Sequence, residues 1–378
     1  MRVSRPALPY RRILTVTVAL MVSVAAVLAA DFLVALVWKP SGATIVKPYI
    51  AKDDGWYELA PSFVGKDQFG PYIYDVETDA HGFRKKPGAT VAAPYDMIFL
   101  GDSFTYGMNG AWDDTFVGMY AGDSGHQAVN AGVSSYSPTG YLYQYQRALA
   151  AGLLPRGHRV VIAVDVSDVQ DEAGIWVDGD AHPRKRSAAA PRVVTAAMLG
   201  TFLSVDSRGR LIERFPRTFL IYRYLRYDVL GWNRASVTEM PRSAFTFADW
   251  PTLDARPADP GLAGFAPLGV RGGLDRVEQK LLAIMQLARA HDAEVSLLIY
   301  PWPAQVAHAD AFSWSTFVAG ACEKGSCAGV IDTIPRFRSL AANDSNWLNT
   351  LYVSGDTHFT ALGNRVIADA LLKALPKN

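Results

Sequence analysis

Three residues of this chain have the types and the setting to do chemistry together. Ser103 lies in Gly101-Asp102-Ser103-Phe104-Thr105-Tyr106-Gly107, directly after the apolar run Met97-Ile98-Phe99-Leu100. A serine is thereby placed where a buried strand meets its following loop, the position at which open α/β sheets bind and transform ligands. Far downstream, Ser354-Gly355-Asp356-Thr357-His358-Phe359 presents a carboxylate and an imidazole on one short loop before the helical run Ala361 to Leu375. A serine hydroxyl is a weak nucleophile until a base takes its proton, and the base needs a carboxylate to orient it and stabilise its cation. His358 has the chemistry of the base and Asp356 that of its partner. Taken alone, Gly-Asp-Ser is an ordinary turn and cap, and Asp-x-His an ordinary helix start. Both together point to nucleophilic catalysis.

The elements that must position these groups are legible as short apolar runs at Asp96 to Leu100, Ala128 to Asn130, Val160 to Val164, Val295 to Tyr300 and Gly329 to Asp332. Such runs suit strands buried on both faces. Helical patterns alternate with them at Tyr141 to Ala151, Leu274 to His291 and Ala361 to Leu375. Alternation of this kind predicts an α/β protein with a parallel sheet between two helical layers.

With both ends in view, the chain resembles the SGNH (GDSL) hydrolase superfamily over roughly Tyr95 to Leu375. The first block matches Gly101 to Gly107 and implies Ser103 as the nucleophile. The second matches Asn130-Ala131-Gly132-Val133 and implies the Gly132 N–H as an oxyanion donor beside that of Ser103. The last matches Asp356 and His358, with the single intervening residue found in some periplasmic polysaccharide O-acetyltransferases of the superfamily. The third block departs from the pattern: Asp165-Val166-Ser167-Asp168 carries Ser167 where the superfamily has an asparagine amide. Its hydroxyl is a shorter donor with a free rotor, and loss of one oxyanion donor typically costs roughly two to three powers of ten in rate. The resemblance implies a three-layer α/β/α fold with a mostly parallel, flavodoxin-like sheet of about five strands.

Other candidate residues have plainer readings. Asn130 reads as a turn-holding side chain, since asparagine bonds its own backbone two residues on. Asp168, Asp171 and Glu172 offer a cation several carboxylates, but they lack any EF-hand spacing, and helix-start electrostatics accounts for them. His81-Gly82-Phe83-Arg84 reads as a turn, and no site is assigned there. Cys322 and Cys327 are separated by a turn-forming spacer and suit a small structural disulfide in an oxidising compartment. No metal or organic cofactor is required.

The chain has 378 residues, half of them hydrophobic, and a formal net charge of +1. It is long enough for a sizeable core, and its charge gives no indication of nucleic-acid binding. Arg2, Arg5, Arg11 and Arg12 precede an uncharged run from Ile13 to Ala30, which as a helix crosses about 27 Å of hydrocarbon. The arginines favour a cytoplasmic amino terminus. A cleaved secretory signal is the rival, with small residues at Ala29 and Ala30, but its apolar core normally runs about 7 to 15 residues. The reading is therefore a cytoplasmic segment at 1–12, a signal anchor at 13–38 and a spacer with a sheet-edge hairpin at 39–94. The SGNH-like domain follows at 95–378, interrupted by an insertion or cap at 173–273.

Within the insertion, Arg184-Lys185-Arg186 reads as a solvated loop, and Phe215 to Trp232 as an aromatic cap. Tyr222, Tyr227 and Trp232 are its candidate sugar contacts, since aromatic faces suit apolar walls of a cleft. Together these features predict a single-pass inner-membrane protein with an exported domain, acting as an esterase or O-acyltransferase on acyl, chiefly acetyl, esters of a glycan. A transferase would need a membrane partner to supply acyl groups. Two other readings stand beside it: a catalytically silent glycan-binding or assembly protein, and a lipid-directed esterase working beside its own anchor.

Overall fold

The computed structural model describes residues 10–37, 44–52, 54–69, 72–90, 94–186, 202–205, 210–214, 237–247 and 263–375. The candidate contacts Tyr222, Tyr227 and Trp232, with the rest of the Phe215 to Trp232 cap, lie outside these residues. Strands are β1 (Thr44–Ala51), β2 (Tyr57–Leu59), β3 (Val64–Phe69), β4 (Tyr72–Thr78), β5 (Arg84–Lys85), β6 (Met97–Leu100) and β7 (Ala128–Asn130). They continue with β8 (Arg159–Val164), β9 (Trp176–Val177), β10 (Arg184–Lys185), β11 (Phe202–Val205), β12 (Arg210–Arg214), β13 (Glu294–Ile299) and β14 (Gly329–Asp332). Helices are α1 (Tyr10–Val37), α2 (Ser103–Tyr106), α3 (Phe116–Ser124), α4 (Pro138–Ala150), α5 (Ser167–Gly174) and α6 (Gly269–Ala290). The remainder are α7 (Pro303–Ala307), α8 (Trp314–Gly325), α9 (Ile334–Asn343), α10 (Trp347–Leu351) and α11 (Ala361–Ala374).

The main sheet runs β14-β13-β8-β6-β7-β5-β4-β3. Its first five strands are parallel, with Met97 opposite Ala128 on one side and Arg159 on the other. Strand order along this part is the flavodoxin-like 2-1-3-4-5 arrangement, which reverses direction of winding between β6 and β8. Every residue of β6 is buried without measurable exposure, because helices cover both faces: α3 packs with α11, while α4 and α5 pack with α6. This is the three-layer α/β/α architecture expected, with eight strands in place of about five.

The extra strands come from the segment expected as a spacer. β3, β4 and β5 extend the sheet antiparallel beyond β7, Arg84 pairing with Asn130. A second sheet, β11-β12-β1-β2, joins this segment to the insertion through β1 and β12. Trp56 is fully buried, stacked on Tyr136 at 4.3 Å between ring centroids and edge-on to Trp176 at 5.0 Å. The segment is thus welded to the domain by large aromatic side chains, whose burial each contributes on the order of 2 to 3 kcal/mol. Arg184 and Lys185, expected in a solvated loop, form a two-residue hairpin strand against β9. Both remain exposed, and Lys185 lies over the Trp176 ring at 5.7 Å.

α1 stands apart in character. Its stretch Ile13–Asp31 is long and apolar enough to cross a membrane, and large apolar side chains such as Val16, Leu20 and Val22 are exposed. Cys322 and Cys327 are disulfide-bonded, with 4.9 Å between their Cα atoms.

Arg84 has a role that its turn-like sequence context did not reveal. It is 1% exposed, and its guanidinium donates to the carbonyls of Tyr106, Gly107 at 2.9 Å and Gly110 at 2.8 Å while facing the Tyr106 ring at 4.9 Å. A planar fork with five donors is suited to gathering several carbonyls at once, and it pins the loop that leaves α2. Replacing Arg84 by Met strips three buried carbonyls of a charged donor. The expected result is a loss of about 3 kcal/mol or more, measured as a fall in denaturation midpoint, with the parent restored only in part by Arg84→Lys.

Candidate functional site

Local backbone rules place the serine. Asp102 ends the run from β6 and caps α2, its Oδ1 accepting the Phe104 N–H at 2.9 Å. Ser103 is therefore the first residue of a single helical turn. Gly107 closes that turn with φ of +84°, a left-handed conformation that a Cβ would strain. Ser103 faces the loop between α10 and α11, which is locked by Val353 N–H to His358 O at 2.8 Å and Asp356 N–H to Val353 O at 2.9 Å. Thr360 caps α11 immediately afterwards, accepting the Gly363 N–H at 3.2 Å.

The three expected residues meet. Ser103 Oγ lies 2.8 Å from His358 Nε2, and His358 Nδ1 lies 2.9 Å from Asp356 Oδ1. With Nδ1–H donated to the carboxylate, Nε2 is left as the acceptor for the serine hydroxyl. All three side chains are buried, with Ser103 and His358 8% exposed and Asp356 7%. Backbone N–H groups of Thr357 and His358 also donate to Asp356 Oδ1, at 2.6 and 3.3 Å. Its Oδ2 accepts from Asn109 Nδ2 at 3.1 Å. The imidazole is held between Phe104 and Phe69, at centroid distances of 4.6 and 5.3 Å.

Charge placement follows from this burial. For His358, burial works against the cation, yet the Asp356 carboxylate and its hydrogen bond, then Asp102 and Asp165, together carry its pKa above the ordinary histidine value. Burial likewise works against ionisation of Asp356, but the His358 charge and the surrounding N–H donors outweigh it and hold the pKa below the ordinary value. Asp102 behaves oppositely: burial, then the neighbouring Asp165 charge, push it up to about 7 against the pull of Tyr300. The Tyr300 hydroxyl donates to Asp102 Oδ1 at 2.8 Å.

The expected oxyanion donors are differently disposed. The Ser103 N–H makes no hydrogen bond among the described residues. Gly132, expected to offer its N–H, donates it instead to Asn130 Oδ1 at 2.9 Å, while Asn130 Nδ2 bonds Thr105 O at 2.7 Å. That is the turn-holding behaviour read for Asn130. A side chain at Gly132 would collide with the backbone of Tyr106, so glycine is required there for close approach of the two loops. Ser167 likewise spends its hydroxyl on Asp165 Oδ1 at 2.7 Å, and its N–H bonds the same oxygen at 2.7 Å. The other oxygen of Asp165 accepts from Trp302 Nε1 at 2.8 Å, so Ser167 is aimed at a fixed carboxylate.

The acidic run after β8 opens α5 with Asp168 in its first turn, as helix-start electrostatics anticipates, and it does more than that. Asp168, Asp171 and Glu172 are buried and each has its own donors: Tyr141 for Asp168 at 2.8 Å, Arg242 for Asp171 at 2.9 Å, and Ser137, Thr139 and Arg276 for Glu172. Asp168 and Glu172 fasten α5 to α4 and α6, because buried polar groups need partners, while Asp171 ties α5 to the segment at 237–247 through one oxygen, the other having no partner among the described residues. No cluster of three or more histidine, cysteine, aspartate or glutamate side chains able to hold a metal occurs among the described residues. Asn109, Tyr300, Asp165 and Phe69 are the site residues that sequence reading passed over, since each reaches the site only through the tertiary fold.

No family model and no curated protein matches the chain. Solved structures similar to it include a member of the lipolytic protein G-D-S-L family from Veillonella parvula, 11% identical, covering 74% of this chain and 97% of that one, with a TM-score of 0.38. An acetylxylan esterase from Geobacillus stearothermophilus is 12% identical over 75% of this chain and 95% of that one, with a TM-score of 0.36. An alpha/beta hydrolase enzyme from the metagenome of Lake Arreo is 13% identical over the same shares, with a TM-score of 0.39. These likenesses are distant, and the site is read from its own geometry. The chain thus has a parallel 2-1-3-4-5 core, a Gly-Asp-Ser loop at its carboxyl end and an Asp-x-His loop closing on that serine.

Proposed function

We propose that this protein is a membrane-anchored, extracytoplasmic serine esterase or O-acyltransferase acting on acyl esters of a glycan, acetyl being the smallest case. The observation that carries the proposal is the continuous line Asp356–His358–Ser103, with hydrogen-bond distances of 2.9 and 2.8 Å. Ser103 Oγ attacks the ester carbonyl carbon as its proton passes to His358 Nε2. The tetrahedral adduct collapses, the carbon–oxygen bond to the alcohol breaks, and His358 returns the proton to the leaving oxygen. Water attacking the acyl-serine gives a carboxylic acid and makes the protein a hydrolase; a sugar hydroxyl gives a new ester and makes it a transferase. In each case the attacking hydroxyl loses its proton to His358 and the serine recovers it.

The glycan assignment rests on the exported location that α1, the arginines before it and the cysteine pair favour, on the aromatic sequence from Phe215 to Trp232 and on the resemblance to the SGNH superfamily. A membrane partner supplying acyl groups belongs to the transferase branch. Two observations favour a second reading, a catalytically silent glycan-binding or assembly protein: the Gly132 N–H and the Ser167 hydroxyl are both committed to protein acceptors. Asparagine at 167 decides between them. In the esterase, Ser167→Asn supplies an amide donor and raises kcat on p-nitrophenyl acetate, by up to about a hundredfold; a silent site shows no turnover with either residue.

Release of p-nitrophenol by the full chain is the direct assay. Ser103→Ala and His358→Ala are each expected to lower kcat by about three powers of ten or more, with an oligosaccharide acceptor present or absent. Acetylated sugar formed only with the acceptor identifies a transferase. The pH dependence has a definite sign. His358 must be neutral to accept the proton, so kcat/KM is lost as pH falls through its pKa, which lies above the ordinary histidine value. Asp356→Asn removes the carboxylate that stabilises the cation, so the acid limb moves to lower pH while kcat falls, as a pH–rate profile of the two proteins would record.

A further inference from the structure

The segment that precedes the five-stranded core builds a cavity beside the nucleophile that the ester chemistry above does not use. It has a volume of about 230 Å³ and is walled by Tyr49 of β1, Tyr57 of β2, Phe69 of β3 and Met108, with Ser134 at its side. Neither Ser103 nor His358 lines it, but two of its wall residues touch them. Phe69 stands edge-on to the His358 ring at 5.3 Å, and the Met108 N–H donates to Ser103 O at 3.0 Å.

Polar groups also line it, and most are spent on one another; the Tyr49 hydroxyl has no hydrogen-bond partner among the described residues but is closed off inside the wall. Asp67 takes Lys47 Nζ at 2.9 Å, the hydroxyls of Tyr74 and Tyr106 at 3.1 and 3.0 Å, and the Gln68 N–H at 2.7 Å. Lys47 also donates to Gln68 O, and the Tyr57 hydroxyl donates to Ser134 O at 2.5 Å. A sugar ring needs unspent partners for its hydroxyls, since each polar group buried without one is costly. What this wall offers is ring faces and a thioether, which suit hydrocarbon.

We infer that this cavity is an acyl-chain subsite, holding the carbon chain of a medium-length acyl group while its carbonyl lies at Ser103. The inference rests on the serine-esterase reading and names the acyl part of its substrate. At about 30 Å³ for a group the size of water or methylene, the cavity holds roughly seven such groups. Hexanoyl fits, and dodecanoyl overfills it.

The test is kcat/KM of the full chain on p-nitrophenyl acetate, butyrate, hexanoate and dodecanoate, for the wild type and for Met108→Trp, which fills the cavity. Each buried methylene is worth about fourfold, so a rise of at least about tenfold from acetate to hexanoate is expected, with a fall at dodecanoate. The hexanoate-to-acetate ratio should drop about tenfold in Met108→Trp. Ser134→Phe, which blocks the cavity from another wall, repeats the measurement should the first variant not fold. Ser103-dependent turnover with a flat or falling series overturns the subsite and leaves the esterase reading standing. If no ester is turned over, the esterase reading fails and titration calorimetry with sodium hexanoate judges the cavity directly: binding abolished in Met108→Trp supports it, and absence of binding to the wild type overturns it.

Discussion

Burying an imidazole against a serine creates a difficulty that the rest of the structure answers. Out of water, a histidine loses basicity, because the cation it must form has no solvent to stabilise it. Here the Asp356 carboxylate at 2.9 Å, together with Asp102 and Asp165, more than offsets that loss. The carboxylate is itself kept ionised against its own burial by the His358 charge and hydrogen bond and by two backbone N–H groups, while Asn109 holds its other oxygen. Asn109 is held in turn by a loop whose carbonyls Arg84 gathers. A chain of dependence therefore runs from the antiparallel edge of the sheet, through one guanidinium and one amide, to the carboxylate behind the base.

The other side of the nucleophile is equally determined but less clearly prepared for catalysis. Asp102, Asp165 and Asp168 lie buried near one another, linked to Tyr300, Trp302, Ser167 and Tyr141. These bonds fix the carboxyl ends of β6 and β8, where the switch in winding opens the crevice. They also draw the Ser167 hydroxyl toward Asp165. An oxyanion hole works because its donors are already aimed and cost no reorganisation during reaction. In this structure the Ser103 N–H makes no hydrogen bond among the described residues, whereas the Gly132 N–H and the Ser167 hydroxyl would have to leave protein acceptors to serve an oxyanion. For the proposed esterase, slow turnover, or turnover that needs a bound acceptor to rearrange these groups, is the physical consequence.

Much of this was legible in the sequence, for reasons that differ by element. The parallel strands showed themselves because burial on both faces leaves uninterrupted apolar runs such as Met97 to Leu100. Ser103, Asp356 and His358 showed themselves because turn glycines and a helix start surround them. β3 to β5 were legible only as a spacer with a sheet-edge hairpin, since their residues include Lys66, Asp67, Asp75, Glu77 and Arg84, whose polarity hides how deeply the segment is built into the sheet. Asp67 and Arg84 are nonetheless buried, compensated by partners that only the fold supplies. Asn109 and Asp356 are 247 residues apart, and no local pattern couples them. For the Gly132 N–H the sequence carried two competing readings, a turn bond to Asn130 and an oxyanion donor, and the structure takes the first.

The central claim is that Ser103 is an activated nucleophile, independent of what the natural ester is. Labelling with an alkyl fluorophosphonate tests it most directly, since phosphonylation needs an activated serine but neither the right acyl group nor the right alcohol. The account predicts one adduct per chain, located on Ser103 by peptide mass spectrometry. It further predicts no adduct in Ser103→Ala and labelling slowed by at least about a hundredfold in His358→Ala. An unlabelled wild-type chain, or labelling equally fast without His358, would contradict it.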